Sequence, residues 1–268
     1  MTWSLAELFP DGDYRFHLTL RRSEPREFFR ARDPSGAMRA ERAKWLGADP
    51  ARYRAILPEG EPGLREFAAM APAWIPDWVE PPPTSANELV DRLGRALEPD
   101  LLFLSADAEG RFRLRGGALC FPSGWALEEK LGHTLDFIHD VVPGLNPALG
   151  GPIHQFLSKL RPGPLFLRDN WGVAATEEMN LHPARSIAAP DPPFALDRLW
   201  LRVEHQALMA LPESHGIVFG IRIALHRLDG IAGGPHARSL RHALMTMPPE
   251  LVAYKRLNRV RSYLLNVL

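Results

Sequence analysis

Between Cys120 and Arg222 a few polar side chains stand among apolar neighbours, and their types bound the chemistry available to the chain. His139 lies between Phe137-Ile138 and Val141-Val142-Pro143, so an apolar segment stiffened by Pro143-Gly144 carries one coordinating nitrogen. An imidazole in that setting either ligates a metal or is buried against a backbone carbonyl. Arg222 shares a strand face with Gly220 and Ala224, where small neighbours allow a close approach to the sheet. The competing reading is a structural ion pair beneath a helix. Glu204, on the Trp200 and Arg202 side, is expected to end its strand, and its carboxylate can hold a cationic group or pair with a nearby arginine. Arg168, Asn170 and Trp171 form one short run that is expected to line the same pocket, Trp171 serving equally well as plain core. Cys120 is either a thiolate ligand or a small buried apolar side chain.

Other chemistries are excluded by what the sequence lacks. There is no GxGxxG after a strand, no Walker loop, no HExxH and no CxxC, and Phe121-Pro122-Ser123-Gly124-Trp125 lacks the first glycine of a nucleophile elbow. The single cysteine rules out an internal disulfide and an iron–sulfur cluster, which takes about four thiolates, so any such electron-transfer centre sits on another chain. Lys plus Arg (32) equals Asp plus Glu (32), which implies neither a nucleic acid nor an anionic membrane as partner. No apolar run approaches the roughly 20 residues that cross a bilayer, and Met1 to Pro10 lacks the regions of a signal peptide, so the expected location is the cytoplasm. With 46% hydrophobic and 24% charged residues, a chain of 268 residues is expected to fold around a full core.

The elements that must position these residues follow from periodicity. Tyr14, Phe16, Leu18 and Leu20 alternate with polar residues as a half-buried strand does, and Ala37 to Leu46 and Leu64 to Met70 read as short helices. Residues 74 to 83 are too rich in proline for a helix and read as a linker whose tryptophans pack on the body. Ser85 and Glu88 form a capping box ahead of a helix carrying Leu89, Val90, Leu93 and Leu97. Leu101 to Ser105 and Arg111 to Leu119 bracket a hairpin turn at Asp107-Ala108-Glu109-Gly110. Helices are expected at Ala126 to Leu131 and Ile153 to Leu160, and strands at Arg198 to Glu204 and Gly216 to His226. A last helix from about Pro249 is expected to leave Lys255, Arg256, Arg259 and Arg261 wet. Hairpins and helices without regular alternation argue for an α+β fold, divided into an N-terminal extension and linker (1–84) packed on a core (85–268).

Several segments together carry a resemblance. They are Cys120-Phe-Pro-Ser-Gly-Trp125 with Glu129-Lys130-Leu131-Gly132, Ile138-His139-Asp140-Val141-Val142-Pro143-Gly144, and Arg168-Asp169-Asn170-Trp171. They continue in Leu201-Arg202-Val203-Glu204-His205-Gln206 with Leu211-Pro212, and in Val218-Phe219-Gly220-Ile221-Arg222. In this order they resemble the haem-dependent oxidative N-demethylase alpha-subunit family. The chain departs from that pattern at Val141, at His205 and over residues 14–57. The resemblance implies a PAS-like antiparallel sheet flanked by helices and holding haem b, with dimethylamine or a similar secondary amine and O2 as substrates. Partner subunits would bring FMN, a 2Fe-2S centre and NADPH-derived electrons.

Under that resemblance His139 is the preferred axial iron ligand, with His133, His154, His205 and His226 as alternatives. Arg168, Asn170, Trp171 and Arg222 would line the haem, and Arg222 would pair with a propionate or polarise bound oxygen. Glu204 would hold the alkylammonium substrate and set its protonation. A PAS-type haem or small-molecule sensor, and a divergent scaffold without haem, are the competing functions, and the lack of an output domain argues against the sensor.

Overall fold

The computed structural model describes residues 5, 8–9, 12–75, 78–79, 82 and 84–268. The chain forms strand β1 (Arg21–Ser23), helices α1 (Pro25–Phe29), α2 (Ala37–Ala48) and α3 (Pro50–Tyr53), strand β2 (Arg54–Ile56) and helix α4 (Glu61–Met70). Helix α5 (Ala86–Ala96) then leads into the hairpin β3 (Asp100–Ala106) and β4 (Phe112–Ala118). Helices α6 (Leu127–Lys130), α7 (Leu135–His139) and α8 (Gly151–Lys159) precede three long strands, β5 (Leu165–Ala174), β6 (Trp200–Ala210) and β7 (Ile217–Arg227). Helices α9 (Ala237–Thr246), α10 (Pro249–Tyr254) and α11 (Arg261–Val267) close the chain.

All seven strands of the described residues form one antiparallel open sheet in the order β1-β5-β6-β7-β3-β4-β2. The fold is α+β, an antiparallel sheet flanked by helices. From residue 85 onward the strands lie second, first, fifth, fourth, third, the PAS-like order. The residues before 85 add the two outermost strands, β1 beside β5 and β2 beside β4.

Local chemistry accounts for most boundaries. Ser85 Oγ accepts from the Glu88 amide at 3.2 Å and so starts α5. The Glu88 carboxylate turns to Thr84 Oγ1 rather than closing the box on the Ser85 amide. In β4, Gly116 and Gly117 take φ of 142° and 143° beside the irregular register at Phe103/Leu104. A Cβ at Gly117 would lie 2.0 Å from the Leu101 carbonyl oxygen, so only glycine lets the two backbones approach there. In the linker, Trp78 Nε1 donates to the Ala68 carbonyl at 3.0 Å and Trp74 stacks on Phe29 at 5.8 Å. Pro76, Asp77, Glu80, Pro81 and Pro83 of that segment lie outside the described residues.

Three expectations are corrected. Residues 14–20 form no strand, and pairing begins only at Arg21 opposite Leu167. The alternation there serves side-chain packing, Tyr14 meeting the edge of Trp171 at 6.4 Å while its amide donates to Thr246 Oγ1 at 2.8 Å. Strand β6 does not end at Glu204 but runs on to Ala210, because β5 and β7 flank it nearly throughout. The last helix is split, since Arg256 adopts φ 57° and breaks it into α10 and α11.

The sheet buries both faces. Helix α8 covers one face, with Phe156 edge-on to Phe166 at 5.5 Å and Ile153 and Leu157 buried. The other face carries Phe28, Phe29, Phe67 and Phe103 in edge contacts of 5.1 to 6.0 Å, and farther along it a second core joins Trp171, Leu201 and Val203 to Leu240, Leu244 and Leu251 of the C-terminal helices.

Candidate functional site

Register decides which of the nominated residues can meet. Cross-strand partners share a face of the sheet, so Asn170 opposite Glu204 and Arg168 opposite Gln206 bring four polar side chains together on the α8 side. Successive residues alternate, so Arg222, which pairs with His205, points to the other face.

Glu204 is the centre of the group. It is 8% exposed, and its Oε2 accepts from Gln206 Nε2 at 2.8 Å and from Asn170 Nδ2 at 3.3 Å. Arg168 is within electrostatic reach of Glu204 but makes no hydrogen bond or ion pair with any described residue. Burial lowers its pKa, against the pull of Glu204 and Asp169. Arg202 also faces Glu204, yet its guanidinium is consumed by structure. Nη2 donates to the carbonyls of Phe121 (2.9 Å) and Met179 (2.7 Å) and Nε to Ser123 Oγ (2.8 Å), which pins the Cys120–Trp125 segment onto the sheet.

His139 ends α7. It is half-buried and its ring forms no hydrogen bond with a described residue. Burial first, and then the Arg168 charge, bring its pKa down to about 4, against Asp136. The ring is therefore neutral at physiological pH and keeps a lone pair free, which is the state a metal ligand needs. Among the described residues no group of three or more His, Cys, Asp or Glu side chains is placed to hold an ion. A metal bound through one imidazole must bring its remaining ligands with it, as a macrocycle does.

The alternative histidines are engaged or remote. His133 is exposed and stacks on Phe137 at 4.0 Å, and His154 is exposed with Nε2 donating to the Gly110 carbonyl at 3.1 Å. His205 Nδ1 pairs with Asp169 Oδ1 at 2.6 Å on the far face, and Asp169 also holds Arg21 at 2.6 Å. His226 lies on that far face too, opposite Leu201, with its pKa lowered by burial and then by His205. Cys120 is fully buried, and burial pushes its thiol up to about 12 despite Arg42, so it stays protonated and apolar in character.

Two nominated residues leave the group. Arg222 is locked into the scaffold, with Nε donating to Phe28 O at 2.8 Å, Nη2 to Arg30 O at 2.6 Å and Nη1 to Glu98 Oε2 at 2.6 Å. The room beside Gly220 that a flat ligand would use is filled by the Phe28 ring, whose Cε1 would be 2.5 Å from an added Cβ. Trp171 points to the same far face as Arg222, edge-on to Phe9 at 5.3 Å, though it still lines a neighbouring cavity.

That cavity, of about 360 Å³, lies along the open edge of β5. Arg168, Asn170 and Trp171 form one wall and residues 12–17 a second, and the remainder includes Val142, Leu145 and residues of α9 and α10, while His139 and Glu204 are not among its lining. Lys255 reaches into it. Its Nζ donates to the Trp171 carbonyl at 2.6 Å and lies 3.4 Å from Asn170 Oδ1, so one amide bridges Lys255 and Glu204. Burial, with Arg168 adding and Glu204 opposing, lowers its pKa to about 8. Reading the last helix as continuous had put Lys255 on the wet stripe. Its side chain instead runs inward from the end of α10 to the Trp171 carbonyl. Gln206 was part of a quoted motif but had been given no role; its place opposite Arg168 supplies one.

A family described as haem-dependent oxidative N-demethylase, alpha subunit-like, matches this chain over residues 76–265.

Proposed function

The chain belongs to the haem-dependent oxidative N-demethylase alpha-subunit-like family, and from that premise we propose that it binds haem b and removes a methyl group from a secondary amine of the dimethylamine type. The observation that carries this reading is His139, a neutral imidazole without a hydrogen-bond partner among the described residues, close enough to Arg168 to feel its charge. The donor set fits the cofactor. Haem needs one neutral axial nitrogen and cationic partners for its carboxylates, and His139 and Arg168, which makes no ion pair with a described residue, are of those two kinds.

Bound haem supplies an iron that activates O2 when electrons arrive. The overall change balances as amine plus O2, two electrons and two protons giving demethylated amine, formaldehyde and water. The chain's own residues do the rest. His139 would hold the iron, and Arg168 would offset the carboxylates of the porphyrin. Glu204, fixed by Gln206 and Asn170, receives the substrate as an ammonium ion and accepts the proton that must leave before the nitrogen lone pair is free. Burial of that carboxylate keeps competing water away. Arg222 anchors the N-terminal segment to the sheet instead of touching the cofactor.

The alpha-subunit description implies partner subunits, and we infer that they carry FMN and a 2Fe-2S centre, are fed by NADPH and deliver the electrons. The single buried cysteine supports this division, since this chain has no thiolate set for such a cluster.

Reconstitution with haem tests the reading. The wild-type chain is expected to develop a Soret band that dimethylamine perturbs, and His139→Ala is expected to lose the band while keeping its far-ultraviolet circular dichroism. Full haem retention by His139→Ala would refute the ligand assignment, and a colourless wild-type chain would refute the function.

A further inference from the structure

The charges around Glu204 do not suit a plain dialkylamine. The cavity at the β5 edge is lined by Arg15, Arg168, Arg238 and Lys255, against Asp13 and Asp169 among the described residues. Both acids are already occupied, Asp169 by Arg21 and His205 at 2.6 Å each and Asp13 by His242 at 3.1 Å. Arg15 and Arg238 are exposed at the rim and their fields are weakened by solvent. Arg168 and Lys255 are less exposed, and both lie within reach of Glu204. An alkylammonium ion entering alone adds a fourth positive charge to Arg168, Lys255 and Arg202, all of which already lie within reach of the Glu204 carboxylate.

A ligand with both signs of charge removes the conflict. Asn170 joins the two poles directly, its Nδ2 on Glu204 Oε2 and its Oδ1 facing Lys255 Nζ, so a cation site and an anion site flank one amide. Resting on the demethylase reading above, we infer that the substrate is a zwitterionic N-methyl amino acid, its ammonium at Glu204 and its carboxylate at Lys255, in preference to a dialkylamine. The group transferred and the balance of oxygen, electrons and protons are those given above; what the inference adds is the substrate's second charge. The lowered pKa of Lys255 agrees with it, because an ammonium held short of counter-charge becomes easier to deprotonate and is restored by an incoming carboxylate.

The carboxylate could also be a porphyrin propionate, and the test separates the two sources. Calorimetric titration of the haem-loaded and haem-free chain with N-methylglycine, dimethylamine and acetate reads the affinities directly. A charge-assisted bond to a half-buried cation corresponds to at least about tenfold in affinity, so N-methylglycine is expected to bind at least tenfold more tightly than dimethylamine. Lys255→Gln is expected to collapse that ratio about tenfold, and Lys255→Arg to keep most of it, with thermal melts confirming that both variants fold. Equal affinities for the two amines overturn the inference. So does a Lys255→Gln variant that loses haem while its ratio is unchanged, because the cation then belongs to the cofactor. A colourless chain that still prefers N-methylglycine would sink the demethylase reading and leave the charge argument standing.

Discussion

Replacing Arg222 by methionine separates a scaffold role from a cofactor role. Arg222 and Glu98 form an ion pair at 2.6 Å with side chains 9% and 2% exposed, so solvent screens it little. Glu98 also accepts from the Arg32 amide at 2.8 and 2.9 Å and from the Asp33 amide at 2.8 Å, and Arg222 caps the Phe28 and Arg30 carbonyls. The pair thus fastens the loop after α1 to the centre of the sheet. Breaking a buried pair from one side costs about 3–5 kcal/mol, so Arg222→Met and Glu98→Ala are each expected to fall in that range. For a chain of this size that is a fall of roughly 6–20 °C in melting midpoint. The double variant should cost less than the sum by about 0.5–3 kcal/mol, because removing the second charge relieves the first. Urea unfolding followed by circular dichroism supplies the three numbers, and the haem absorption of the same samples supplies the control. The pH dependence has a definite sign. Burial raises the Glu98 pKa, but Arg222 and the Asp33 and Arg32 amides lower it further, for a net depression. The stability it contributes is complete above the ordinary glutamate value and is lost as pH falls through the folded value, so the Glu98→Ala deficit should shrink in acid. An Arg222→Met variant within about 1 kcal/mol of wild type would refute this account, and one of wild-type stability that has lost haem would return Arg222 to the cofactor.

Other expectations follow from single features. Gly117→Ala forces a Cβ to 2.0 Å from the Leu101 carbonyl oxygen at a positive φ, and should cost about 2–6 kcal/mol in the same unfolding assay. Asp100→Asn leaves Arg42, fully buried and paired with Asp100 at 2.5 Å, without its counter-charge; a loss of about 3–5 kcal/mol is expected, with protease cleavage appearing first near Cys120 and Phe121, whose amides Asp100 also accepts. Lys255 should titrate near 8 when its ε-carbon shift is followed by nuclear magnetic resonance. Because the unfolded chain then holds more protons between about 8 and 10.5, wild-type stability should rise with pH across that window, and Lys255→Met should show no such rise.

What the sequence disclosed and what it hid have separate physical causes. Helices α2, α4 and α5 were legible because each buries one side only and so shows a period, whereas the β3–β4 hairpin, buried on both faces for most of its length, was legible from its turn residues Asp107 to Gly110. Strand β6 is buried on both faces from Leu201 to Ala210, which erases the alternation and made Glu204 look like a strand end. The outer strands β1 and β2, three residues each, were too short to show any period at all. They pair with partners far along the chain, and periodicity carries no information about partners.

The site was half legible for a sharper reason. Residue type named Arg168, Asn170, Glu204 and His139, but parity sorts such residues, and a one-residue step along a strand exchanges faces of the sheet. Glu204 and its neighbour His205 therefore lead to different worlds, one toward Arg168 and Gln206, the other toward Asp169 and Arg222. Gly220 misled in a complementary way. A glycine reports that something comes close to the backbone, not what does; a bound macrocycle and the Phe28 ring leave the same gap in the sequence. Lys255 was hidden by the length of its own side chain, whose stem carries the ammonium inward to the Trp171 carbonyl from a half-buried position at a helix end. In each case the missing knowledge was a direction in space. That is why charge counting becomes informative only once the fold fixes directions: the neutral total of the chain concealed a cavity whose cations outnumber its acids, and that imbalance is what any ligand of the site has to answer.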